Sequence, residues 1–143
     1  MALTIDLAPT IAQFAQATPT HAVDGRSLVP VLLNPETTAW RKIGLIQYVG
    51  GIDPFAGREL PPSFLALRTD RSTRPRMFAR YPLLLGLNGE LYDLAADPYQ
   101  LENRYTWSGI WQNERSWLQQ WLDVLKECEG TGCQALENYF YFN

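Results

Sequence analysis

The sequence has no apolar run of 18 residues, one histidine, two cysteines and no surplus of basic charge, and each shortage closes off a class of function. Without a long apolar run, no helix is expected to span a membrane. Lys and Arg total 12 against 15 Asp and Glu, a formal net charge of −3. A general nucleic-acid binder needs a cationic surface to displace counterions, so no nucleic-acid partner is expected. One histidine (His21) and a single cysteine pair cannot supply the four ligands of a zinc site. The opening stretch has no basic region and Asp6 interrupts it, so it does not read as a signal peptide. An exported parent protein would carry its export signal elsewhere.

What is present is enough apolar side chain for a core. The composition is 46% hydrophobic, with five Trp, seven Tyr and six Phe among 143 residues, enough to build one packed domain rather than a disordered tail. Residues 6 to 17 read as a helix that Asp6 can cap. Its apolar stripe is Leu7, Ile11, Phe14 and Ala15. Ser27 can cap a short turn carrying Leu28, Val31 and Leu32. Strands are expected over 43–49, 64–69, 77–81, 83–87 and 90–94, with Gly50-Gly51 ending the first. Asn88-Gly89 between two apolar runs is a hairpin signal, because both residues accept the positive φ of a type I′ turn. From 109 to 128 the chain reads as its longest helix. Ile110, Trp117, Trp121 and Val124 form the stripe, Trp111, Leu118, Leu122 and Leu125 widen it, and Gly130 stops it. The order predicts an α+β fold: a small antiparallel sheet of about four strands covered by a long C-terminal helix. The first helix has no preceding strand to lie on.

Few side chains suggest chemistry. His21, Asp24 and Ser27 have the types of a hydrolase triad but share one short loop, and no Gly-x-Ser-x-Gly elbow exists, so a turn at Asp24-Gly25 is the better reading. Asp93, Asp97 and Glu102 lack the spacing of a metal-binding loop, and the two aspartates are expected to accept local backbone hydrogen bonds. Arg68, Arg71, Arg74, Arg76 and Arg80 form the one basic run. Guanidinium forks match sulfate and phosphate oxygens, which makes Arg74 and Arg76 candidate anion contacts, although a solvated strand face explains the run as well. Trp117 and Trp121, at helical spacing, read as core rather than sugar platforms. Tyr139, Phe140, Tyr141 and Phe142 either fold back or leave a sticky end. Cys128 and Cys133, separated by Glu-Gly-Thr-Gly, are placed either to close a small disulfide ring, contributing about 2 kcal/mol, or to remain two thiols.

Five ordered segments resemble the formylglycine-dependent sulfatases, and in particular the N-acetylglucosamine-6-sulfatase type. They are IDLAPTIAQFAQ from Ile5, DGRSLVPVLL from Asp24, Trp40-Arg41 followed by LIQY from Leu45, LYDLAADPYQLEN from Leu91, and LKECEGTGC from Leu125. The resemblance spans residues 5 to 133. It implies that residues 1–38 are the tail end of an alkaline-phosphatase-like catalytic α/β domain, with the amphipathic helix belonging to that domain, and that 39–143 form the C-terminal α+β subdomain. It also implies a Cys128–Cys133 disulfide and a secreted, periplasmic or cell-surface parent. The family's chemistry uses a formylglycine made within Cys/Ser-x-Pro-x-Arg and a calcium ion held by acidic residues. This chain has neither motif, so no catalytic or metal-ligating residue carries over, no cofactor is expected in this chain, and its partner would be the missing N-terminal sulfatase domain. His21, Arg26, Gln47 and Tyr48, in or beside matching segments, are candidates for the wall of a substrate pocket. Gln47 departs from the family's Glu, exchanging a charge for an amide, and residues 72–87 follow the family poorly. The alternative reading is a non-catalytic module that binds sulfated or acidic glycans through the arginine run.

Overall fold

The structure is a computed structural model that describes residues 1–36, 39–52, 55–70, 77–82 and 89–138. In chain order it comprises a 3-10 turn (Thr4–Asp6), α1 (Leu7–Phe14), α2 (Val29–Leu33), β1 (Ile43–Tyr48), β2 (Phe64–Thr69), β3 (Met77–Pro82), β4 (Glu90–Asp93), α3 (Ile110–Leu125) and α4 (Thr131–Asn138). These fall into two compact units. One joins residues 1–44 to those from 127 onward, and the other runs from 45 to 126.

The α+β expectation holds. The sheet has four strands in the order β1-β2-β3-β4, with β2–β3 and β3–β4 antiparallel. Cross-strand neighbours Leu67, Ala79 and Leu91 share one face because side chains alternate along a strand. All three are fully buried, and Leu118, Leu122 and Leu125 of α3 are nearly so. Burial of each such leucine contributes about 1.5–3 kcal/mol. The buried stripe of α3 is therefore Leu118-Leu122-Leu125, at i, i+4 and i+7. Of the stripe expected from the sequence, Ile110 and Val124 are exposed, and Trp117 and Trp121 meet edge to face at 6.3 Å while only half-buried. Helix α3 also ends at Leu125, three residues before Cys128.

Strand β4 takes β3 as its partner, with Arg80 opposite Glu90. The run 83–88, which holds the expected fifth strand and Asn88, lies outside the described residues.

In the first unit, the helix expected over 6–17 is a 3-10 turn followed by α1, and the left-handed Gln16 (φ 53°) ends it. Helix α4 was not expected. Gly130 (φ 56°) precedes α4 and its N–H donates to Asp24 Oδ1 at 2.6 Å, so this glycine opens a helix instead of stopping one.

Candidate functional site

The first unit is organised around charge. A buried carboxylate or guanidinium costs several kcal/mol unless it is paired and its hydrogen-bonding groups are met. Asp6 and Arg41 are both completely buried. Arg41 Nη1 donates to Asp6 Oδ2 at 2.6 Å and Nη2 to Asp6 Oδ1 at 3.0 Å, a two-pronged pair. Arg41 Nε donates to Glu137 Oε2 at 2.8 Å, and Arg26 Nη2 donates to the same oxygen at 2.6 Å. Arg26 also donates to the Asn138 side chain and the Gln134 carbonyl, each at 2.6 Å. Both guanidinium carbons lie over the Trp40 ring, at 5.6 and 5.9 Å from its centre. Two carboxylates thus meet two arginines on an aromatic floor.

Asp6 is this network's hub and does not cap α1. Its carboxylate accepts from the amides of Leu3 (2.8 Å) and Arg26 (3.0 Å) as well as from Arg41, and it makes no cap bond to α1. Burial pushes its carboxyl up. The bonds from Arg41, Arg26 and Leu3 outweigh that and hold it below the usual carboxylate range. For Arg41, burial disfavours the charge, and Asp6 and Glu137 outweigh it in turn.

The matching sequence segments acquire physical reasons here. At Gly25 a Cβ would run into the Ile5 carbonyl, so the loop closes on the 3-10 turn only with glycine. Ser27 Oγ accepts from the Val29 amide at 3.2 Å at the start of α2. Thr10 is the buried residue of α1. Its hydroxyl donates to the Asp6 carbonyl at 2.5 Å and accepts from the Leu28 amide at 2.9 Å. The apolar stripe of α1 points the other way: Leu7 is 55%, Ile11 66% and Phe14 68% exposed. Helix α1 buries Thr10 and leaves its apolar stripe in water, the inverse of an ordinary surface helix.

Cys128 and Cys133 are joined, with sulfurs 2.04 Å apart. Beside them, a surface depression of about 580 Å3 lies between loop residues His21, Ala22 and Val23 and the start of α4 at Glu129, Thr131 and Gln134. His21 is exposed at this depression, whereas Arg26 is committed to the charge network. In the second unit, Gln47 is exposed on β1 and Tyr48 stacks on Phe64 at 5.3 Å between ring centres. Arg74 and Arg76 lie outside the described residues, as do 139–143; Arg68 is exposed on β2.

The remaining acidic candidates serve turns. Asp93 Oδ1 accepts from the amides of Ala95 and Ala96, and Asp97 Oδ2 from Glu102 at 2.8 Å. The amides of Glu102 and Leu101 hold the Asp97 carboxyl low. Asn103 closes the motif: its Oδ1 accepts from Leu91 and Tyr105, and its amide donates to the Gly89 carbonyl. Among the described residues no three His, Cys, Asp or Glu side chains gather as a metal site. The carboxylates that do converge, Asp6 and Glu137, are already paired with arginines. These residues do not fit a calcium ion. Sequence reasoning missed Glu137, Gln134 and Asn138, whose polar spacing carries no signal of its own. It also missed Glu114 on α3, whose Oε2 is buried without a hydrogen bond and whose carboxyl is pushed up by burial.

No protein-family model matches this chain, and no curated protein does. Solved structures do match. One is BT4656, solved in complex with its substrate D-glucosamine-2-N,6-O-disulfate; the TM-score is 0.66 at 24% identity, over 85% of this chain and 23% of that one. Another is the phosphonate monoester hydrolase of Agrobacterium radiobacter, with a TM-score of 0.59 at 22% identity, over 87% of this chain and 25% of that one. The chain shares its fold with a part of each of these structures. It spans about a quarter of the length of the structures it matches.

Proposed function

We propose that the chain is the C-terminal portion of a sulfatase acting on sulfated sugars, with amino-sugar 6-sulfates as the preferred class, and that it releases no sulfate by itself. The reading rests on the fold likeness together with one feature of this chain, the water-facing apolar stripe of α1. Leu7, Ile11 and Phe14 have the pattern of a helix laid on a sheet, and burying each contributes about 1.5–3 kcal/mol. A catalytic α/β domain is the partner with such a sheet, and it is where the family's formylglycine and calcium would reside. When bound there, those groups would supply the nucleophile and neutralise the sulfate oxygens. This chain's part is to buttress that domain and to offer His21, which is exposed, to the wall of the substrate pocket. The substrate of BT4656 supports the sugar class. The Cys128–Cys133 bridge supports a secreted, periplasmic or cell-surface setting for the parent.

The deciding experiment is an assay with glucosamine 6-sulfate and added calcium, run on the 143-residue chain and on the chain joined to whatever coding sequence lies in frame upstream of Met1. Sulfate release is expected only from the longer polypeptide, which should carry Cys-x-Pro-x-Arg or its serine form. Release by the 143-residue chain alone overturns the reading.

A further inference from the structure

Helix α4 is held to the rest of its unit almost wholly by polar bonds. Gln134 Nε2 donates to the Gly25 carbonyl at 3.0 Å, the Lys42 amide donates to the Glu137 carbonyl at 2.9 Å, and Asp24 receives the Gly130 amide. Glu137 then holds Arg26 and Arg41. Within α4 only Cys133 and Glu137 are buried. The helix has eight residues, too few to persist unaided. Its sole covalent anchor beyond the chain itself is Cys133, through a ring five residues apart in sequence, whereas the bonds it steadies join residues 96 to 112 apart.

We infer that Cys128–Cys133 is a redox clasp: reducing it with a dithiol releases α4, withdraws Glu137 from Arg26 and Arg41, and opens the His21 depression. The exchange balances. A thiolate of the dithiol attacks the sulfur of Cys128, the more exposed residue of the pair, and Cys133 leaves as a thiolate that takes up a proton. The second thiol of the reductant then attacks the mixed disulfide, freeing Cys128 as a thiol and leaving the reductant oxidised to its cyclic disulfide.

The test is amide hydrogen exchange on the full chain with and without dithiothreitol under native conditions. The Lys42 and Gly130 amides should exchange at least about tenfold faster once reduced, because their acceptors depend on α4 staying docked. The Leu91 amide, held by Asn103 in the other unit, should keep its protection. A Cys128→Ser/Cys133→Ser chain should match the reduced protein without reductant. Unchanged exchange at Lys42 and Gly130, loss of protection at Leu91 as well, or failure of dithiothreitol to reduce the native bond would each overturn the clasp. None of these outcomes bears on sulfate release, so this inference and the proposed function fail separately.

Discussion

The two units bury different things. In the first, Asp6 and Arg41 are fully inside and the apolar stripe of α1 is outside. In the second, Ala66, Leu67, Ala79, Leu91 and Leu118 are inside, and Asp93 and Asp97 tie turns at the surface. An apolar core that loses methylenes relaxes only in part and is left with a cavity, whereas a charge knot that loses one partner leaves a buried charge without its counter-charge. The comparison teaches that the second unit is held by apolar packing and the first by charge, with an apolar stripe left exposed on the first.

Breaking the knot should have the largest effect. Arg41→Ala takes the guanidinium from Asp6 and leaves Glu137 with Arg26 alone, and about 3–5 kcal/mol should be lost, read from the urea midpoint. A loss under about 1 kcal/mol would mean that the network does not organise its unit. The same knot makes a pH prediction. The folded Asp6 carboxyl titrates below its unfolded counterpart, so its contribution is complete above roughly pH 4 and disappears as pH falls through the lower, folded value. Arg41→Ala, and also Asp6→Asn, should flatten that acid limb in a stability-versus-pH series. Next in size, Leu118→Ala should cost about 3 kcal/mol by leaving a cavity under the sheet, with little change in the acid limb. Asn103→Ala removes the acceptor of the Leu91 amide and should cost about 1–2 kcal/mol, seen as faster exchange at Leu91. The smallest effect should come from Ile11→Ser, under about 0.5 kcal/mol in this chain because the residue is already wet. In a longer polypeptide carrying the proposed catalytic domain the same change should cost several times more, which would make the α1 stripe an interface.

Much of the second unit was legible in the sequence. Strand β2 lies where its residues alone place it, and β1, β3 and β4 agree to within a residue or two, because period-two patterning reports burial on one face. Helix α3 was legible as an element, but its buried face was misjudged: four large residues drew the eye to one stripe while three leucines beside it make the core. The first unit was far less legible. Asp6 before an apolar stripe reads as a cap, since nothing local reveals an arginine 35 residues away. Helix α4 was hidden behind two glycines and buries only a cysteine and a glutamate, which leaves almost no apolar period to detect. The segments around Asp6, Asp24 and Arg41 and the closing cysteines were visible one at a time. That they converge within one unit was not, because ion pairs leave no periodicity.

The distance between Arg41 and Glu137 along the chain sets a clock on the ribosome. Asp6 can clasp Arg41 soon after both emerge, but the glutamate that completes the arrangement follows 96 residues later. At about 5–20 residues per second, the nascent polypeptide waits roughly 5–20 seconds with that guanidinium only half satisfied.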